Sequence, residues 1–199
     1  MNAAQTDRPV LFIQGGGAGT HAQWDNKLVA SLEQALGRGY CLHYPNMPHE
    51  DDPEFAAWGD AIMHEIALLG PSIVVVGHSV GGTILVHTLA RHPGLLQVIA
   101  ALCLIAPPFI GPGGWSNADV EVAPDWAAPL GDTRVFLYRG SDDTTTPASH
   151  LDLYAKAMPH AVVRRLAGRD HQLNDNLGEV ASDITGSFAE ADYRPAAAP

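Results

Sequence analysis

The stretch Ile73-Val74-Val75-Val76-Gly77-His78-Ser79-Val80-Gly81-Gly82-Thr83 decides the reading of this chain. Four β-branched residues make a short buried strand. A Gly-x-Ser-x-Gly turn follows with no linker, and an apolar segment of helical type runs on to Arg91. In such a strand–turn–helix the serine sits in a strained backbone conformation at the strand tip. Gly77 and Gly81, lacking a β-carbon, let strand and helix come close around it. The Ser79 hydroxyl then stands exposed at a helix N-terminus, where the helix dipole favours negative charge. The pentapeptide alone is common. Here it follows a buried-type strand directly, runs into a helical segment and has plausible partners downstream.

Outward from this turn the chain alternates. Short apolar runs at Pro9–Gln14, Tyr40–Tyr44, Ile73–Val76, Val98–Ile105, Arg134–Tyr138 and Val162–Leu166 read as strands. Trp24–Leu36 places Trp24, Leu28, Leu32 and Leu36 on one helical face, and Glu54–Leu69, Val80–Arg91, Ser149–Met158 and Leu173–Phe188 also read as helices. Near-continuously apolar strands between helices predict a parallel sheet covered on both faces. The fold class expected is α/β, a three-layer αβα sandwich with a mostly parallel sheet of about six strands. Residues 1–199 read as one domain, with 1–8 and 189–199 as flexible ends. Pro107–Leu130 breaks the alternation. It is rich in proline and glycine, holds Trp115 and Trp126, and follows a strand where a ligand crevice should open. It reads as a small lid or pocket wall, or as an ordinary surface excursion.

Hydrophobic residues at 46% and charged residues at 17% describe a folded chain rather than a disordered one. A formal net charge of -11 argues against nucleic acid and anionic membrane surfaces as partners. The two cysteines, Cys41 and Cys103, fall in strand segments and are expected buried and reduced. No signal peptide or membrane-length apolar run is read, which makes the cytoplasm the default location.

A serine hydroxyl is a weak nucleophile until a base takes its proton and an acid orients that base. His171 follows the last strand directly, in Gly168-Arg169-Asp170-His171, and is the candidate base among ten histidines. His78 adjoins the serine but should point elsewhere. Asp142 and Asp143, after the fifth strand, are both candidate acids. Acyl transfer also needs donors for an oxyanion. The backbone N–H of Val80 is one, and the loop Gln14-Gly15-Gly16-Gly17 after the first strand offers the other. That loop lacks the Gly-Lys-Ser/Thr ending and the G-x-G-x-x-G spacing of nucleotide sites. No metal-binding pattern appears, and the acidic run Glu50-Asp51-Asp52 reads as a solvated loop.

With serine, acid and histidine in this order, the chain resembles the α/β-hydrolase fold superfamily over Pro9 to about Phe188. Gly140-x-x-Asp143-x-x-x-Pro147 resembles the acid loop of that superfamily, which implies Asp143 rather than Asp142. Gln14-Gly15-Gly16 resembles its oxyanion loop with Gln14 in place of the usual histidine, implying the Gly16 amide as donor. Tyr44-Pro45-Asn46-Met47-Pro48, Asp52-Pro53 and Trp58 resemble a compact subgroup without a large cap domain, the minimal serine hydrolases of the retinoblastoma-binding-protein type. The resemblance implies an esterase-like hydrolase without cofactor, acting on a small-molecule acyl substrate. Phe109, Ile110, Trp115 and Trp126 suggest an apolar acyl or aryl pocket, or equally packed core. Alternatives are a non-catalytic binding protein on the same scaffold, or related chemistry such as thioesterase, perhydrolase, haloperoxidase or carbon–carbon hydrolase activity.

Overall fold

The computed structural model describes residues 7–118 and 120–192, the last four of these in backbone only. Six strands, β1 (Arg8–Ile13), β2 (Tyr40–His43), β3 (Ile73–His78), β4 (Ile99–Ile105), β5 (Val135–Gly140) and β6 (Val162–Leu166), form one sheet. Its order is β2-β1-β3-β4-β5-β6, and every adjacent pair is parallel. Helices α1 (Asn26–Leu36), α2 (Phe55–Leu69), α3 (Ser79–Arg91), α4 (Ala148–Ala157) and α5 (Gly178–Asp192) flank it, and the described residues form no large cap. Parallel strands need crossovers; α1 to α4 supply all but the one from β4 to β5, which an excursion over residues 106–134 makes.

The inner strands follow from their composition. Val10 to Ile13 and Ile73 to Val76 are fully buried, because an interior parallel strand faces a helix layer on each side. Alternate residues enter two cores. Leu11, Ile13, Val75, Leu102 and Leu104 pack on one face with Trp58 and Ile62 of α2 and Ile84 of α3. Val10, Phe12, Val74, Val76 and Cys103 pack on the other with Leu28 and Leu32 of α1 and Ile184 of α5.

The sheet edges depart from the expectation of uniformly apolar strands. β6 exposes Val162 and ties Arg164 to Asp183 on α5 at 2.7 Å, and β2 is only partly covered. On that edge Cys41 is exposed and free, against the burial expected; Cys103, on inner strand β4, is buried as expected. An edge strand has a neighbour on one side only, so strand position alone does not bury its side chains.

Other boundaries move too. A π-helical turn, Thr20–Asp25, precedes α1, so Trp24 turns outward under Lys27 while Asp25 is buried. The last helix begins at Gly178 rather than Leu173. Leu173, Asn174 and Asp175 all have positive φ and form a tight turn that bends the chain away from His171. Residue 8 already belongs to β1 and the backbone of 189–192 to α5, so neither is a loose end; the rest of both expected flexible ends, save Asp7, lies outside the described residues.

Among its described residues the excursion after β4 carries no regular helix or strand beyond a short 3-10 turn at Ala128–Leu130. It is pinned rather than loose. Thr83 on α3 and Tyr154 on α4 both donate side-chain hydrogen bonds to the Pro108 carbonyl, at 2.6 and 3.1 Å.

Candidate active site

In this strand order the chain runs from β1 outward to β2, then returns across β1 to β3. The carboxyl ends of β1 and β3 therefore lie side by side where the winding reverses, the position at which α/β sheets open a crevice. Gly15 and Gly16 follow β1, and Ser79 follows β3.

Ser79 has φ 50, a left-handed conformation that costs a non-glycine residue about 1–3 kcal/mol and is held only by its surroundings. The surroundings are tight. A β-carbon on Gly81 would collide with the Gln14 carbonyl, so only glycine lets α3 start this close to the end of β1. Ser79 Oγ lies 3.0 Å from His171 Nε2, and His171 Nδ1 lies 3.0 Å from Asp143 Oδ2. The three side chains form one continuous hydrogen-bonded chain.

Asp143 reaches His171 because its own loop is fixed. Its Oδ1 accepts the backbone N–H groups of Thr145 and Thr146, at 2.8 and 3.0 Å. Burial alone would raise its pKa. The hydrogen bonds from His171, Thr146 and Thr145 outweigh that and hold the carboxyl below its ordinary value. Asp142 points to solvent and accepts from Ser141. Between the two candidate acids the geometry therefore selects Asp143. The loops of acid and histidine are locked together: Asp142 N–H donates to the Arg169 carbonyl at 2.9 Å, and a β-carbon on Gly140 would strike that same carbonyl.

The glycine loop after β1 has its donors largely spent. Gly15 N–H bonds Asp25, Gly17 N–H bonds the Glu50 carbonyl, and Gly19 and His21 N–H groups bond the Glu50 carboxylate at 2.7 and 2.8 Å. Gln14 Nε2 joins the same carboxylate at 2.7 Å. This excludes a phosphate cradle and corrects the reading of Glu50 as merely solvated. The backbone hydrogen bonds, with some help from Gln14, hold its pKa below the usual range despite partial burial. Gly16 N–H, between two occupied neighbours, bonds no acceptor among the described residues. Val80 N–H lies in the first turn of α3, where helix geometry supplies no partner. A β-carbon added to Gly16 would meet the Val80 side chain, so the residues of the two unspent amides are near neighbours.

The expected pocket aromatics divide. Phe109 is buried and meets the Tyr154 ring edge-on. Trp126 is partly buried, stacks on His87 at 4.3 Å and packs against the same core cluster as Phe109. Trp115 is exposed and, with Ile110 and Val122, lines a cavity of about 270 Å³ within the excursion itself. Sequence reasoning also set aside His78, which is fully buried against Asp25, with Nδ1 to Oδ2 at 2.8 Å. No local pattern marked Asp25, because its partner lies 53 residues away.

Residues 10–199 match the model of the alpha/beta hydrolase family. The chain belongs to that family. Many solved structures share its fold, among them the following three. Est1E from Butyrivibrio proteoclasticus, with ferulic acid bound, is 14% identical with a TM-score of 0.70, covering 97% of this chain and 92% of its own. A meta-cleavage product hydrolase from Pseudomonas fluorescens is 13% identical with a TM-score of 0.68, covering 94% and 92%. A predicted CIB-like hydrolase from Thermoplasma acidophilum is 16% identical with a TM-score of 0.67, covering 96% and 90%. No curated protein matches the sequence. Among the described residues no helix is long and apolar enough to cross a membrane.

Proposed function

We propose that this protein is a serine hydrolase that cleaves a small carboxylic ester or related acyl compound through an acyl-enzyme. The observation that carries the reading is the unbroken chain Ser79 Oγ–His171–Asp143, with both links at 3.0 Å and Ser79 at φ 50. In the reaction Ser79 attacks the acyl carbonyl while His171 Nε2 takes its proton. Asp143 accepts a hydrogen bond from His171 Nδ1–H, fixing the tautomer and steadying the imidazolium. The Gly16 and Val80 amides receive the developing oxyanion. His171 then returns the proton to the leaving group and activates the water that releases the acid. The substrate is a small-molecule acyl compound in this reading, and the net charge of -11 speaks against a polyanionic one. The ferulic acid bound by Est1E supports an acyl compound as the ligand class. The proposed setting is the cytoplasm, where an exposed thiol such as Cys41 stays reduced.

Intact-mass measurement after exposure to a fluorophosphonate tests this directly. The native protein should gain one adduct and Ser79→Ala none. A folded native protein that gains no adduct overturns the reading, and a non-catalytic binding role would replace it.

A further inference from the structure

One buried ring links three of the four loops of the candidate site. His78, which precedes Ser79, is buried at 1% exposure and makes two hydrogen bonds. Its Nδ1 is 2.8 Å from Asp25 Oδ2, and its Nε2 is 3.2 Å from the backbone carbonyl of His171. Asp25 Oδ2 also accepts the N–H of Gly15, the residue before the oxyanion donor, at 2.7 Å. The ring thus links the serine turn, the histidine loop and the glycine loop.

Both neighbours of the ring are acceptors. A carbonyl oxygen carries no proton, so Nε2 must donate to it. Asp25 Oδ2 already accepts an amide, so Nδ1 is called on to donate as well. A neutral imidazole has one N–H and cannot satisfy both contacts. We infer that His78 is a buried, standing imidazolium which, with Asp25, positions His171 and sets the acidity range over which His171 acts as a base. This rests on the hydrolase reading of the site for its effect on His171, though not for the charge on His78.

The electrostatic surroundings agree. Burial alone would favour neutral His78, but the Asp25 carboxylate outweighs it, with the His171 carbonyl and Asp143 adding in the same sense. Asp25 in turn is held ionised against its burial by His78 and the Gly15 amide. Its second oxygen, Oδ1, is buried without a partner among the described residues. A packing role alone would not call for such a costly group there. The charged and titratable groups that face the pair are His171, 4.9 Å from His78 between ring centroids, Asp143 behind it, and Tyr44 and Glu50 on the side of Asp25.

His78 is not placed to react. It makes no hydrogen bond to Ser79, and its work passes through His171. The couple resembles a second His–Asp pair that never gives up its proton. If His78 were replaced by Asn, the Asp25 carboxylate would lose its counter-charge. A buried anion and a missing cation both favour protonated His171, so its service as a base should begin at higher pH.

Two measurements test this. In native protein labelled with 15N-histidine, both ring nitrogens of His78 should carry slowly exchanging protons at pH 8. One protonated and one bare nitrogen would overturn the standing charge, whether or not the protein proves to be a hydrolase. The second follows the rate of fluorophosphonate labelling against pH. His78→Asn should move the acid limb up by about one pH unit. The double variant Asp25→Asn/His78→Asn, which removes both charges, should move it back toward the native position. A slower rate with an unmoved limb in His78→Asn would overturn the electrostatic role. Native protein that takes no label at any pH would instead sink the hydrolase reading, and the nitrogen spectrum would still decide the charge.

Discussion

A β-carbon placed on Gly16 would stand 2.7 Å from Val80 Cγ1 and 2.5 Å from Pro53 Cγ. The residues of the two amides proposed for the oxyanion therefore lie close together, with no room for a side chain at position 16. Pro53, from the loop before α2, closes the third side. Gly16→Ala must push this arrangement open. Turnover of a p-nitrophenyl ester should fall by about 10²-fold or more, the usual loss for one misplaced oxyanion donor. Overpacking should cost about 1–3 kcal/mol of stability in urea unfolding. Turnover within about threefold of native would remove Gly16 from the site.

The two adjacent aspartates make a sharper pair. Asp143 is bound by His171, Thr145 and Thr146, whereas Asp142 faces water. Asp143→Asn should lower turnover by about 10⁴-fold, because the amide favours the wrong histidine tautomer. Asp142→Asn should leave it within about twofold, as a surface substitution does. Steady-state kinetics on both variants decide it, and the reverse order would displace Asp143 as the orienting acid.

Glu50 predicts a pH-dependent clamp. Its carboxylate receives the Gly19 and His21 amides and the Gln14 side chain, and its pKa is lowered in the fold. A lowered carboxylate pKa contributes stability that is present above the unfolded value of 4.5 and is lost as pH falls through the folded one. Glu50→Gln should therefore be less stable than native protein at neutral pH, and the gap should close in acid. Urea midpoints at neutral pH and near pH 3 measure it. An equal gap at both would mean that the charge contributes nothing.

These predictions separate what the sequence makes legible from what it does not. The turn around Ser79 was legible because glycine at 77 and 81 and β-branched residues at 73–76 write backbone geometry directly into residue type. The order of Ser79, Asp143 and His171 followed because each lies just after a strand. Asp25 and Glu50 were invisible for the opposite reason. Each is an ordinary acid locally, and its partners, His78 for one and the Gly19 amide for the other, come from distant segments. Cys41 and Trp24 failed in a third way. Their local patterns were right, but an edge strand and a π-helical turn decided which way they faced. Short-range chemistry reads well from a sequence, whereas tertiary pairing of polar groups leaves no local trace.

His87 gives the last prediction, away from the chemistry. It lies in α3, stacked on Trp126 and edge-on to Phe55, and its Nε2 is buried with no partner among the described residues. Burial, with Arg91 adding, pushes its pKa down from 6.5 to about 4. The folded state therefore prefers the neutral ring. Between the two values the unfolded chain binds a proton that the folded chain refuses, so this group weakens the fold as pH drops from 6.5 toward 4. His87→Phe keeps an aromatic ring between Trp126 and Phe55 and removes the titration. Relative to the variant, native protein should lose about 2–3 kcal/mol on going from neutral pH to pH 4. The orphaned nitrogen should also make the variant at least as stable at neutral pH, since an unpaired buried polar atom costs about 1–3 kcal/mol. Urea unfolding of both proteins across that range is the check. A constant difference between them would mean that His87 meets water in the folded protein, and its contact with Trp126 would then be open rather than closed.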